Sequence, residues 1–121
     1  MSVGNPIVHL EIPVLDLNKA REFYSKVFGW KVDLIPQMDY ALFETGTPPS
    51  GGFNKVDKIK PGGCLFYISV DDIEKKLKEI EKAGGKTVRK KTEIPQMGWD
   101  ATFTDIFGNE LGLFTPMNKS R

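Results

Sequence analysis

The chain contains two copies of one pattern, and this repeat constrains its fold more than any other feature. The tetrapeptide Ile-Pro-Gln-Met occurs at residues 35–38 and again at residues 94–97. Ile12 and Ile68 lie 56 residues apart (68 − 12), each in the apolar strand that begins its copy of the pattern. The same spacing matches Val14 with Val70, Asp16 with Asp72, Lys19 with Lys75 and Gly29 with Gly85. The pattern indicates two copies of one supersecondary unit, and we expect a functional site where the two copies face each other.

The second copy is slightly longer than the first. The two tetrapeptides lie 59 residues apart (94 − 35), three more than the strands and helices before them. We therefore place an insertion of three residues between the second strand of the second copy and its tetrapeptide.

Hydrophobic periodicity gives each copy the order strand, helix and three strands. For the first copy we predict a strand at 7–14, a helix at 17–28 and strands at 30–35, 40–45 and 52–56. For the second copy we predict a strand at 64–70, a helix at 73–83 and strands at 86–91, 99–104 and 110–114. The fold class is therefore α+β, with two tandem βαβββ units. We expect one domain over residues 1–121, with repeats at about 7–57 and 63–116.

Composition excludes several classes of partner. Lys and Arg number 17 against 16 Asp and Glu, which gives a formal net charge of +1. This balance offers no electrostatic surface for nucleic acid or an acidic membrane. The single cysteine, Cys64, permits neither an intrachain disulfide nor a thiolate metal cluster. Without a leader-like or membrane-spanning apolar run, we expect a cytoplasmic protein.

Alternation along the first strand of each copy separates two faces. Val8, Leu10, Ile12 and Val14 match the apolar helix stripe, so we expect them in the core beneath the helix. The side chains of the other face are His9, Glu11, Leu65, Tyr67 and Ser69. A mixed polar and aromatic set is poor core material but suits the lining of a ligand cleft.

The chain resembles a known superfamily. The two βαβββ units, the segment HLEIPVLDLNKAREFYSKVFGWKV and the ending DIFGNELGLFTP are similar to the vicinal oxygen chelate superfamily. That superfamily includes glyoxalase I, bleomycin-resistance proteins and extradiol dioxygenases, and the second half looks similar to small relatives of lactoylglutathione lyase. The resemblance covers about residues 7–116 and extends to both halves. It implies an eight-stranded, incompletely closed, barrel-like sheet with a site in its concave face.

The metal ligands of the superfamily can be matched to this chain one position at a time. His9 stands at the first ligand position, on the first strand. The equivalent position in the second half is Leu65, which cannot ligate, and the glutamate of the last strand is replaced by Gly112. A fourth position falls near residues 52–54, where only Asn54 has a ligating side chain. The resemblance therefore leaves one good donor among four positions.

Two interpretations follow from this comparison. The first is a small-molecule-binding protein that has no metal cofactor and holds a partly apolar ligand. Its cleft would be lined by His9, Glu11, Leu65, Tyr67, Trp99 and Gly112. The alternative is a metal-dependent lyase, isomerase or dioxygenase with a rearranged divalent site of His9, Glu11 and Glu110, since a catalytic site needs about three protein ligands. We expect a homodimer under either interpretation.

Three further expectations concern two aromatic residues, the partner of His9 and the restoration of metal ligands by substitution. Tyr40 and Trp99 take equivalent places after the tetrapeptides, where they either stack on a flat ligand or pack in the core. Within the cleft, His9 is expected to form a hydrogen bond with Glu11 or Tyr67. Restoring donors by Leu65→His and Gly112→Glu is expected to create metal affinity.

Overall fold

The computed structural model describes residues 4–60 and 62–117. The first copy contains β1 (Ile7–Val14), α1 (Leu17–Phe28), β2 (Lys31–Ile35), β3 (Tyr40–Glu44) and β4 (Ser50–Lys55), with a short 3-10 helix at Pro36–Met38. The second copy contains β5 (Leu65–Ser69), α2 (Ile73–Lys82), β6 (Lys86–Ile94), β7 (Gly98–Thr104) and β8 (Glu110–Pro116). The predicted α+β class and the two βαβββ copies are confirmed. Neither of these helices is long and apolar enough to cross a membrane.

The chain divides into two compact units. Among the described residues, the first unit spans Val8–Phe66, and the second comprises residues 67–117 together with residues 4–7. The strand order is β2-β3-β4-β1 in the first unit and β5-β8-β7-β6 in the second. In each unit the first and last strands of the copy pair in parallel, β1 with β4 and β5 with β8, and the other pairs are antiparallel. The predicted repeat bounds are not tested by this division and stay a prediction.

Both helices begin at the predicted aspartates. The Asp16 carboxylate accepts a hydrogen bond of 2.9 Å from the Lys19 N–H, and Asp72 accepts one of 3.1 Å from Lys75. Each bond satisfies one of the N–H groups that a helix start leaves without a partner. Helix α1 ends at Gly29, whose φ of 73° is the left-handed conformation that favours glycine.

Each helix covers one face of its own sheet. In the first unit the buried core comprises Ala20, Val32, Ala41, Phe43 and Phe53. In the second unit it comprises Val70, Ile73, Leu77, Ala101, Phe103 and Leu113. Leu10, Ile12 and Val14 pack against the first core as predicted, but Val8 is exposed, so only the later residues of β1 join it. The opposite face of each sheet is called the helix-distal face below; in register it carries His9, Glu11, Tyr40, Gly52 and Asn54 in the first unit and Tyr67, Ser69, Asp100, Thr102, Gly112 and Phe114 in the second.

Extra residues of the second copy lie inside β6, not after it as predicted. Strand β6 has 9 residues where β2 has 5, and it continues to Ile94 instead of ending at residue 91. Its pairing with β7 shifts register between Thr87 and Arg89 and again between Arg89 and Thr92. Bulges of this kind accommodate extra residues while the strand continues beyond them.

The predicted equivalence of Tyr40 and Trp99 is wrong. Both tetrapeptides join the second strand of a copy to the third. Asp39 alone separates Met38 from Tyr40, whereas two residues, Gly98 and Trp99, separate Met97 from Asp100. Tyr40 of β3 pairs with Asn54 of β4. In the second copy the equivalent pair is Asp100 of β7 with Phe114 of β8, so Asp100 takes the place of Tyr40. A shift of one residue moves a strand side chain to the other face. Tyr40 therefore lies on the helix-distal face, and Trp99 lies on the helix side.

Candidate functional site

His9 lies on the helix-distal face of the first unit, where β1 pairs in parallel with β4. A hydrogen bond of 2.8 Å joins its Nε2 atom to the hydroxyl oxygen of Tyr40, on β3. Burial lowers the pKa of His9 below its ordinary value, because removal from water disfavours the charged imidazolium. The imidazole is therefore neutral at pH 7. The sequence pointed to Glu11 or Tyr67 as the partner and missed Tyr40, which the strand order β3-β4-β1 brings within reach.

Gly52 makes the contact between His9 and Tyr40 possible. It lies on β4, the strand between β3 and β1, and it pairs with Glu11. A Cβ atom at this position would collide with the hydroxyl and ring of Tyr40. The Tyr40 side chain therefore lies over bare backbone as it extends toward His9, and no side chain larger than glycine fits beneath it.

Gly112 and Tyr67 repeat this arrangement in the second unit. The two residues pair between β8 and β5, as Gly52 and Glu11 pair between β4 and β1. A Cβ atom on Gly112 would overlap the ring of Tyr67, whose residue is 7% exposed. A glutamate at position 112 would therefore require the Tyr67 ring to move. The expectation that Leu65→His and Gly112→Glu create metal affinity stays a prediction.

The other predicted residues occupy different environments. Glu11 is partly buried beside Gly52 in register, and Leu65 is partly buried at the start of β5. Glu110, proposed as a third ligand in a rearranged site, is exposed at the start of β8. Among the residues that the structure describes, no three His, Cys, Asp or Glu side chains are grouped so that they could hold a metal ion. The donor set of His9, Glu11 and Glu110 does not fit the superfamily's metal.

Trp99 follows the packing alternative. It packs against the core beneath α2, and the Lys91 ammonium lies 5.1 Å from the centroid of its ring. A cation over an aromatic face is a stabilising contact. The assignment of Trp99 to a ligand cleft stays a prediction, as does the grouping of His9, Glu11, Leu65, Tyr67 and Gly112 in one cleft.

The sequence did not indicate a pair of charged residues on the helix-distal face of the second unit. Arg89 Nη2 donates a hydrogen bond of 2.7 Å to Oδ2 of Asp100. Asp100 is buried, and its Oδ1 atom has no hydrogen-bond partner. Arg89 begins the short basic run Arg89-Lys90-Lys91, a pattern that by itself is typical of a solvated loop. The insertion in this part of the second copy was the one feature of the sequence that could have pointed to this pair.

Known proteins resemble this chain in sequence and in fold. A family model described as "Bleomycin resistance protein-like N-terminal" matches residues 6–46. A glyoxylase-like domain-containing protein from Didymella fabae is 31% identical over 128 residues, which cover 98% of this chain and 100% of that protein. A Bacillus subtilis (strain 168) protein named "probable trivalent organoarsenical cleaving enzyme" is 37% identical over 82 residues, or 64% of this chain and 56% of that protein.

The fold comparison agrees with the sequence comparison. A glyoxalase/bleomycin resistance protein/dioxygenase superfamily member from Vibrio splendidus 12B01 has a TM-score of 0.67 at 15% identity, covering 93% of this chain and 99% of that chain. At this level of identity the similarity establishes the fold alone. Together with the relative that matches almost the whole chain, it shows that the chain belongs to the vicinal oxygen chelate superfamily of glyoxalase-like and bleomycin-resistance-like proteins.

Proposed function

We propose that the protein binds a small, partly apolar molecule on the helix-distal faces of its sheets, and that it does so without the superfamily's usual metal site. One observation carries this proposal. In each unit a tyrosine ring fills the space over a glycine of the last strand, and in the second unit that glycine is Gly112, where the resemblance places a ligand. The rings are those of Tyr40 over Gly52 and Tyr67 over Gly112.

The residues on these faces suit binding better than metal chemistry. A bound divalent metal would supply Lewis-acid polarisation of a substrate oxygen, which requires about three protein ligands. His9 instead forms a hydrogen bond with Tyr40 and stays neutral. A neutral imidazole and a phenol can orient a ligand by hydrogen bonding, while a tyrosine ring offers an apolar face on which it can stack.

A second candidate is a metal-dependent lyase, isomerase or dioxygenase that uses His9, Glu11 and Glu110. The similarity to the Bacillus subtilis protein whose name refers to organoarsenical cleavage favours it, because that match extends over 64% of this chain. In this alternative Glu110, which is exposed at the start of β8, would serve as the third ligand.

Metal content separates the two candidates. The protein is purified without chelator, and zinc, nickel, iron and manganese are measured by mass spectrometry in the parent chain, in His9→Ala and in Tyr40→Phe. We expect no stoichiometric metal in any of the three. Stoichiometric metal that is lost in His9→Ala but kept in Tyr40→Phe would replace the binding proposal with the enzyme.

Ligand binding is tested by thermal shift against a library of partly apolar compounds. A ligand present at 100 times its Kd stabilises the folded state by about 2.7 kcal/mol, which is readily detected. For a compound bound near His9, the His9→Ala variant is expected to weaken binding by one hydrogen bond, roughly 0.5–1.5 kcal/mol. A compound bound equally by both proteins lies away from His9.

We also propose that the protein is a homodimer, because closed two-fold pairing is the commonest assembly of small soluble proteins. Light scattering at micromolar concentration is the test. A particle of 13.6 kDa, the mass of one chain, would contradict it.

A further inference from the structure

We propose that Asp100 and Arg89 form a recognition site on the helix-distal face of the second unit, for a neutral ligand group that has a hydrogen-bond donor beside an acceptor, such as a carboxamide. The inference rests on the proposed function, since it names the chemistry of the molecule to be bound. It does not depend on His9 or on the first unit.

Asp100 has an unusual environment for a carboxylate. Its residue is 8% exposed, Oδ2 accepts from Arg89, and Oδ1 is buried without a hydrogen-bond partner. A buried polar atom without a partner costs free energy, and the cost is larger when the group is charged. Native proteins keep few such atoms, and each one calls for an explanation such as a bound group. Oδ1 of Asp100 is an acceptor that a donor from a ligand would satisfy.

Arg89 provides the complementary half of the site. Its side chain is 43% exposed, so a ligand can reach the guanidinium from solvent. A guanidinium has five N–H donors in a planar fork, which is more than one carboxylate oxygen can accept. The pair therefore places an acceptor and a donor side by side.

The local backbone is built around this pair. Arg89 lies between the two register shifts of β6, in the segment lengthened by the insertion. Bulges often lie beside functional sites, where they redirect a side chain. The residue equivalent to Asp100 in the first unit is Tyr40, and the unit's shorter β2 pairs with β3 without a register shift. The second copy has therefore acquired an ion pair where the first copy has a tyrosine.

The ligand class follows from the charges. A carboxylate would be attracted by Arg89 but repelled by Asp100, and an ammonium group would be attracted by Asp100 but repelled by Arg89, so neither is favoured by both residues. A neutral amide can donate its N–H to Oδ1 of Asp100 and accept from Arg89 through its carbonyl oxygen. Phe114 pairs with Asp100 on the neighbouring strand and is partly exposed, so an aromatic ring beside the amide would find an apolar contact.

Benzamide is the probe, with benzoate and benzylamine as charged analogues of similar shape. Binding is measured by nuclear magnetic resonance titration of the full chain. We expect benzamide to cause saturable shifts in β6, β7 and β8, with an affinity at least tenfold higher than that of either analogue. Asp100→Asn keeps an oxygen for Arg89 but presents an amide N–H at the Oδ1 position, and it should weaken benzamide at least tenfold. Arg89→Gln changes the half-exposed partner and should also weaken benzamide binding at least tenfold. It serves as the test variant if Asp100→Asn does not fold.

The inference is overturned by any of three results: no saturable shift with benzamide, equal affinity in the parent and the folded variant, or benzoate or benzylamine binding as tightly as benzamide. Failure here is distinct from failure of the proposed function. Library compounds that bind the parent and the Asp100 variant equally would leave the binding function in place and remove only this site.

Discussion

Replacing Gly112 by Ala tests whether the tyrosine ring occupies the position of the missing ligand. The added Cβ would overlap the Tyr67 ring and lie 3.0 Å from its Cγ atom. Since Cγ lies on the Cβ–Cγ axis, rotation of the ring about that bond cannot remove the whole overlap, and the side chain itself must move. Tyr67 is buried, so its displacement also disturbs its neighbours. Overpacking of this kind costs about 1–3 kcal/mol in the free energy of unfolding.

A double-mutant cycle assigns this cost to the contact. Tyr67→Ala alone removes a buried aromatic side chain, for which about 3–5 kcal/mol is expected. Once the ring is absent, Gly112→Ala should add almost nothing, so the two costs should fall short of additivity by about 1–3 kcal/mol.

Urea unfolding followed by circular dichroism gives the four free energies. Gly4→Ala is the control, because a Cβ at Gly4 would meet no atom within 4 Å. It should change stability by less than about 0.5 kcal/mol. The reasoning would be refuted by a Gly112→Ala protein as stable as the control, or by costs that add in the double variant.

Three other perturbations test the site and the core. Burial lowers the pKa of His9, so as the pH falls below about 6.5 the unfolded chain takes up the proton first. The contribution of His9 to stability is therefore full above that pH and declines as the pH falls toward the lowered pKa. Tm measured between pH 7.5 and 5.5 should show this decline in the parent and a flatter profile in His9→Asn. Parallel profiles would contradict the lowered pKa of His9. Phe53 is 0% exposed, and Phe53→Ala should lower the free energy of unfolding in urea by about 3–5 kcal/mol. Phe107 is 82% exposed, and Phe107→Ala should stay within about 0.5 kcal/mol of the parent. Similar costs for the two variants would be evidence against the core described above. Arg89→Met leaves the buried Asp100 carboxylate without its cation and should lower the free energy of unfolding by about 1–3 kcal/mol. Lys76→Ala removes an exposed ion pair with Glu79 on α2 and should leave the unfolding midpoint unchanged. Equal effects would show that burial adds nothing to the pair of Arg89 and Asp100.

The parts of the fold that depend on neighbouring residues could be predicted from the sequence. The bounds of α1 were predicted at both ends, because Asp16 and Gly29 are residue types whose own chemistry starts and stops a helix. The side of β1 that faces α1 followed from alternation, since the period of a strand is fixed by its backbone. The two copies followed from the repeat itself. In the site, the match of Leu65 and Gly112 to the ligand positions of the superfamily stays a prediction.

The parts that depend on strand pairing could not be predicted. One extra residue between the second tetrapeptide and Asp100 placed Trp99 on the helix side and gave the place of Tyr40 to Asp100. The presence of an insertion was predicted from the sequence, but the location of extra residues within β6 was decided by pairing with β7. Periodicity within one strand carries no information about the register of its neighbour.

The sequence by itself determined the two βαβββ copies and their helix ends, because each of these is set by residue type and local spacing. Only the tertiary structure decided that Tyr40 bonds to His9 across Gly52, that Tyr67 covers Gly112, and that Arg89 meets Asp100. The physical reason is that these contacts join residues of different strands. Their existence depends on strand order, on bulges and on the space that a missing Cβ leaves on the strand between them.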